Sequence, residues 1–338
     1  MASSARPEVC TKRFPLNIRS QSTTKPTIPA VGLGTWQGQF GTDATTSLKN
    51  SIIHALHSGY RLIDTAQSYG VESVVGAAIR ESGVPRDEIT VISKLWGTSF
   101  HDVPGALERS LRDLDVGYID LYLMHWPNPM GKHGEVQAYP GSPPFWEVWK
   151  SLERCVDGEK LRGIGVSNFT QKTLGVLFEK GVEIAPAVNE VELHVLNPNF
   201  ELVKYCEEKG IQVVSWSTMG GERLGTGKNP ILEDGELREI AKRYGVSTGV
   251  LSLSWAVQRG IVVIPKSSKH ERIEENVRLV TLEEGDMAKM NNAGGRIGKM
   301  RIADAIEGIH YKVDGRNTLM GWSKVDMGWE DKEGNWLV

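Results

Sequence analysis

The sequence predicts an α/β fold, a (β/α)8 TIM barrel, on three observations. Short apolar runs alternate with helical patterns along most of the chain, eight such runs can be counted, and no Gly-x-Gly-x-x-Gly follows an early run. Strand-helix alternation implies parallel pairing, because each return to a parallel neighbour needs a crossover helix. Eight strands suit closure into a barrel, and the missing glycine fingerprint argues against an open dinucleotide-binding sheet.

Each element follows from its pattern. Residues 28–35 read as the first strand and 45–58 as the helix after it; 61–64 form the second strand, and 72–82 a helix that Gly83 closes. Further strands are expected at 90–93, 118–124, 161–166, 187–190, 212–215 and 261–264. Helices are expected at 103–114, 145–157, 170–179, 199–209, 235–244 with 247–259, and 271–277. Three long segments break the rhythm: 127–144 after strand four, 217–234 after strand seven, and the tail 294–338. Loops of this length are uncommon unless functional. The sequence reading makes them walls of one pocket, with Trp322, Trp329 and Trp336 bringing the tail over it.

Composition narrows the partners. The 338 residues carry 40% hydrophobic content, enough for one barrel domain over 1–338, with its core at about 28–293. A formal charge of −3, with Lys and Arg spread along the chain, offers no basic stripe for nucleic acid or a membrane surface. Cys10, Cys155 and Cys206 are far apart with no His at ligand spacing, so neither a disulfide framework nor a metal site is expected. The N-terminus lacks an apolar leader core, and no window approaches the roughly 18 apolar residues of a membrane span. A cytoplasmic monomer acting on a small molecule is the expectation.

Asp64, Lys94 and His125 each sit at or just past the end of a predicted strand, with Tyr69 on the loop after the second. In a parallel barrel such positions converge on one mouth, where the chemistry resides. Taken singly, each has an ordinary reading: a helix cap, a solvated strand end, a packed ring or a core histidine. Four such accidents at neighbouring strand ends make a weaker account than one site.

Six motifs then appear in register. Gly34-Thr35-Trp36, Asp64-Thr65-Ala66-Gln67-Ser68-Tyr69-Gly70, Ser93-Lys94-Leu95-Trp96, Tyr122-Leu123-Met124-His125-Trp126-Pro127, Gly165-Val166-Ser167-Asn168-Phe169 and Ile264-Pro265-Lys266-Ser267 resemble the aldo-keto reductases in order and spacing. The resemblance implies an NADPH-dependent reductase of aldehydes or ketones. Its chemistry is intelligible from the residues. Hydride addition to a carbonyl leaves a developing alkoxide, and a placed proton donor removes that charge. Tyr69 is the candidate donor, Lys94 would pull the phenol below its usual value of about 10, Asp64 would hold Lys94 charged, and His125 would orient the carbonyl.

Lys266 and Ser267 follow strand eight, and Arg272 and Asn276 fall on the first turns of the next helix, a place suited to an anion. The resemblance implies that Lys266, Ser267 and Arg272 hold the adenosine 2′-phosphate, which favours NADPH/NADP+, while Glu275 and Asn276 contact adenine. It also implies Ser167 and Asn168 at the nicotinamide carboxamide, Ser217 and Met219 near the pyrophosphate, and Gly34, Thr35 and Asp64 beside the cofactor. Trp36, Trp96 and Trp126, with His125, match substrate-pocket positions, although core packing competes as a reading, most of all for Trp96. Two departures stand out: Glu190 replaces the family's usual Gln, and Trp216 its usual Tyr, both at nicotinamide-contacting positions. Thr218 replaces a usual Pro. These departures and the tail leave a second possibility, a cofactor-binding regulatory or interaction subunit with little turnover.

Overall fold

A short antiparallel pair, β1 (Arg13–Pro15) with β2 (Thr27–Pro29), precedes eight parallel strands in the computed structural model of the chain. The structure describes residues 7–18, 26–37, 42–222, 226–306 and 308–337. Residues 1–6 of the polar leader, 223–225 of the loop after the seventh barrel strand, and 307 and 338 of the tail lie outside the described residues.

The barrel strands are β3 (Leu33–Gly34), β4 (Leu62–Asp64), β5 (Thr90–Leu95), β6 (Ile119–Met124), β7 (Leu161–Ser167), β8 (Val188–Glu192), β9 (Gln212–Trp216) and β10 (Val262–Val263), paired in sequence order. Closure is made where Val31 bridges Val263: the Gly32 N–H donates to the Val263 carbonyl at 2.8 Å, and the Val263 N–H to the Ala30 carbonyl at 2.9 Å. The expected single strand over 28–35 is therefore two. Residues 27–29 pair with β1, and the change of partner falls at Ala30, whose N–H still donates to the Lys12 carbonyl at 2.9 Å while its own carbonyl accepts the Val263 N–H.

Around the strands run α1 (Thr42–His57), α2 (Glu72–Glu81), α3 (Val103–Leu114), α4 (Phe145–Cys155), α5 (Gln171–Glu179), α6 (Phe200–Glu208), α7 (Gly235–Arg243), α8 (Thr248–Gln258) and α9 (His270–Asn276). Local chemistry sets their starts: Asp102, Thr170, Asp234 and Ser247 each accept a backbone N–H of the following first turn. None of the helices described is long and apolar enough to cross a membrane.

After α9 come α10 (Glu284–Asn291) and α11 (Ala293–Ile297), and the tail adds a hairpin of β11 (His310–Val313) with β12 (Arg316–Leu319), and α12 (Lys324–Met327). It folds back onto the C-terminal end of the barrel through specific anchors. Both Glu192 carboxylate oxygens accept backbone N–H groups, from Ile302 at 2.5 Å and Ala303 at 2.8 Å. Arg296 makes paired bonds to Asp234 at 2.6 and 2.7 Å, and Thr170 donates to the Met327 carbonyl at 2.8 Å. Gly321, at φ 91°, passes so close to the loop after β6 that a Cβ would stand 2.2 Å from the Gln137 carbonyl oxygen.

The tryptophans of the tail differ from expectation. Trp322 is buried against Phe145 and Tyr139, Trp329 lies 6.1 Å from Trp126, and Arg301 stacks on Trp329 and Trp336 at 4.7 and 4.0 Å. Trp322 and Trp329 fix the tail to the barrel because large rings gain most from dry packing, whereas Trp336 packs within the tail on Arg301.

Candidate active site

Parallel register puts the chemistry at one depth. Gly34 pairs with Asp64, Asp64 with Ile92, Lys94 with Leu123, Ser167 with Glu190 and Glu192 with Trp216. A cavity of about 510 Å³ opens at these strand ends, and its lining includes Gly34, Thr35, Trp36, Asp64, Tyr69, Trp96, His125, Trp126, Ser167, Asn168, Glu190, Trp216, Ser217, Met219 and Lys266. Lys94 lies fully buried beneath it. Ser267, Arg272, Glu275 and Asn276 lie outside this lining. Asn276 is buried and ends α9, so it is not on that helix's first turns; Arg272 and Glu275 are exposed.

The ammonium of Lys94 is held by Asp64 Oδ1 at 2.5 Å, the Thr65 carbonyl at 3.0 Å and Glu190 Oε1 at 3.2 Å. Burial works against its charge, but Asp64 and Glu190 more than offset that and keep it above the ordinary lysine range. Burial raises both carboxyls, and Glu190 further than Asp64 because the neighbouring Asp64 charge adds to it. The sequence reading placed Glu190 at the nicotinamide alone; in the fold it is also an ion partner of Lys94. Tyr69 departs from expectation as well. Burial raises its phenol above the ordinary value, and the nearby Lys94 charge only partly offsets this, so the hydroxyl stays protonated at neutral pH. Lys94 Nζ stands 5.3 Å from the Tyr69 ring centre, and the ring packs against Trp36 at 5.0 Å and His125 at 5.6 Å.

Burial and the Lys94 charge hold His125 well below its ordinary range, so its imidazole is neutral. Its Nδ1 lies 3.3 Å from Ser68 Oγ, a partner that sequence reasoning missed although Ser68 lies within a quoted motif. Asn168, in the left-handed region at φ 61°, links three strand ends. Its amide donates to the His125 carbonyl at 2.9 Å and to Ser167 Oγ at 3.1 Å, while its oxygen accepts the Trp216 indole N–H at 3.1 Å. Trp216 thus does more than offer a stacking face; it locks the asparagine. Ser217 is also left-handed, at φ 53°. Two strained non-glycine residues on one cavity wall are a feature that functional sites retain.

One expected wall does not line the cavity. No residue of 127–144 borders it; that loop receives the tail, with the Asn128 amide donating to the Leu319 carbonyl at 3.0 Å. The tail contributes Ile306, Gly308 and Ile309, which no sequence pattern had singled out.

The residues present fit a nicotinamide dinucleotide. Gly34 carries no side chain where a Cβ would stand 2.8 Å from the Ile264 carbonyl oxygen, so β3 and the chain after β10 run side by side under the cavity floor. Thr35 Oγ1 and Glu190 Oε2, on residues that line the cavity, are buried without partners, as atoms awaiting a polar ligand are.

The raised carboxyl of Glu190 has a measurable signature. Between its ordinary value of 4.5 and its folded value the native protein binds more protons than the unfolded chain, so this group's contribution to stability falls as pH rises. Glu190→Gln removes that loss. Thermal melts from about pH 4 to about pH 8 should show the variant gaining on the parent as pH rises; a constant difference would mean that Glu190 titrates as a free carboxyl.

The sequence profile of the Aldo/keto reductase family matches residues 30–294. Glycerol 2-dehydrogenase (NADP(+)) of Saccharomyces cerevisiae is 38% identical over 308 residues, 86% of this chain and 94% of that protein. The 9,11-endoperoxide prostaglandin H2 reductase of Trypanosoma cruzi is 40% identical over 278 residues, 80% of this chain and 90% of that protein. Among solved structures, a Bombyx mori aldo-keto reductase in complex with NADP superposes with a TM-score of 0.77 at 30% identity, over 87% of this chain and 95% of that one.

Proposed function

The chain belongs to the aldo/keto reductase family and is an NADPH-dependent oxidoreductase of aldehydes or ketones, and within that activity we propose that Tyr69 gives the proton that converts the carbonyl oxygen to an alcohol. The observation that carries this reading is the buried Lys94 with its two carboxyls, set below a protonated Tyr69 and a neutral His125 at the floor of one cavity. NADPH supplies the hydride. Asp64 and Lys94 keep a fixed positive charge near the phenol, which stabilises the phenolate left when the proton departs. His125, with Ser68 donating to Nδ1, presents Nε2–H to the carbonyl oxygen and orients it. Asn168 holds His125 and Trp216 at their spacing.

The substrate face is aromatic and aliphatic: Trp36, Trp96, Trp126, Ile306 and Ile309. Lys266 is the one lysine or arginine among the lining residues, and it lies on the proposed cofactor side. This composition favours uncharged carbonyls with an apolar or aromatic body over acidic sugars. The tail's anchors on the barrel support one domain.

NADPH oxidation against a panel of aldehydes and ketones tests the activity and ranks the substrates. The cofactor half is tested through Lys266→Ala and Arg272→Ala. Each removes a charge-assisted contact to the 2′-phosphate worth about 1.5–3 kcal/mol, so NADPH binding weakens roughly 10- to 100-fold while NADH binding hardly changes. Equal losses for the two cofactors would remove these residues from the phosphate site.

A further inference from the structure

An ammonium has three N–H donors, and those of Lys94 are met by Asp64 Oδ1, the Thr65 carbonyl and Glu190 Oε1. Two carboxyls therefore share one cation, and all of these residues are buried. The other groups facing the cluster add no compensating charge. His125 and Tyr69 are uncharged, Lys266 is an exposed residue, and the strands flanking Glu190 place Ser167 and Val214 beside it. With both carboxyls ionised the cluster would keep one surplus negative charge out of water, which is costlier than taking up a proton. The shorter bond from Lys94 makes Asp64 the ionised member. Glu190 lines the cavity beside Asn168 and Trp216, and its Oε2 is buried without a partner.

We propose that Glu190 is a proton reservoir answering to the redox state of the cofactor: it holds a proton in the free enzyme, releases it to solvent when the positively charged nicotinamide of NADP+ occupies the cavity, and keeps it when NADPH does. Only the Glu190 O–H bond breaks, and the ring cation replaces the charge that leaves with the proton. The inference rests on the cavity being the NADP(H) site. NADP+ then gains on NADPH as pH rises, by up to roughly tenfold per pH unit, within the window between Glu190's values in the complex and in the free enzyme. Release of NADP+ slows correspondingly.

Calorimetric titration of parent and Glu190→Gln with each cofactor, at pH 7 in two buffers of different ionisation enthalpy, counts the protons exchanged. The 2′-phosphate titrates nearby but is common to both cofactors, so it cancels in the difference. In the parent, NADP+ should release up to about one proton more than NADPH, and in the variant the difference should vanish. Equal counts in the parent, or a difference that survives in the variant, would overturn the proposal. A second arm needs no variant: the parent's ratio of dissociation constants for NADP+ and NADPH must change between about pH 6 and about pH 9, and a constant ratio is equally fatal. If neither cofactor binds, the assignment of the cavity fails and this inference with it; if both bind with equal proton counts, only the inference fails.

Discussion

Tyr69→Phe lowers carbonyl reduction roughly 10²–10⁴-fold while NADPH still binds, because the ring is kept and only the proton donor is lost. That factor corresponds to about 2.7–5.4 kcal/mol of transition-state stabilisation. No other residue takes over easily. His125 is neutral and presents at most one N–H, already used to orient the oxygen, and Lys94 is buried beneath the cavity. Fluorescence titration with NADPH and single-turnover kinetics separate binding from chemistry. The raised phenol adds a pH arm. Reduction in the parent should hold across neutral pH and decline only in alkali, whereas alcohol oxidation, which needs the phenolate as base, should climb there. A variant reducing carbonyls at the parental rate would take Tyr69 out of the reaction.

Lys94→Met has an equally large effect, and it reaches stability as well as turnover. Removing one partner of a buried ion pair typically costs about 3–5 kcal/mol, because the charge left behind has no compensation. Here two carboxyls and the Thr65 carbonyl lose their common donor. Urea unfolding should show that loss, and reductase activity should fall with it as Tyr69 loses its fixed positive neighbour. Adding Asp64→Asn and Glu190→Gln to Lys94→Met makes the cluster neutral and should recover much of the stability but none of the activity. Unchanged unfolding in Lys94→Met would mean that the cluster contributes little to the fold.

The barrel was legible because its strands are buried on both faces and several read as apolar runs between helical patterns, as 121–124 and 261–264 do. The same logic places Asp64, Lys94 and His125 at one mouth, since parallel strand ends share a depth. What the sequence hid depends on distances across the barrel. That Glu190 reaches Lys94 requires knowing where the third ammonium donor points, and the direction of the Tyr69 shift depends on burial, which only packing determines. Residues 28–35 read as one run, and nothing in them marks Ala30 as the point where the backbone turns from Lys12 to Val263. The β11–β12 hairpin had a signal that the sequence reading passed over: Asp314-Gly315, both at positive φ between two short strands. Ile306 and Ile309 carried none, because a wall made of irregular chain has no period to detect.

Glu190 and Glu192 stand two residues apart on β8 and so project from the same face. One reaches down to the ammonium under the phenol; the other takes the backbone N–H groups that begin the tail's wall. A carboxylate gripping main-chain amides is indifferent to the side chains of the segment it holds. The wall proposed to choose a substrate is thus fastened by a joint that does not read its sequence, while the groups proposed to move the proton are other residues. Evolution or an engineer can rewrite Ile306, Gly308 and Ile309 to admit a different carbonyl and leave the acid, its cation and their alignment untouched.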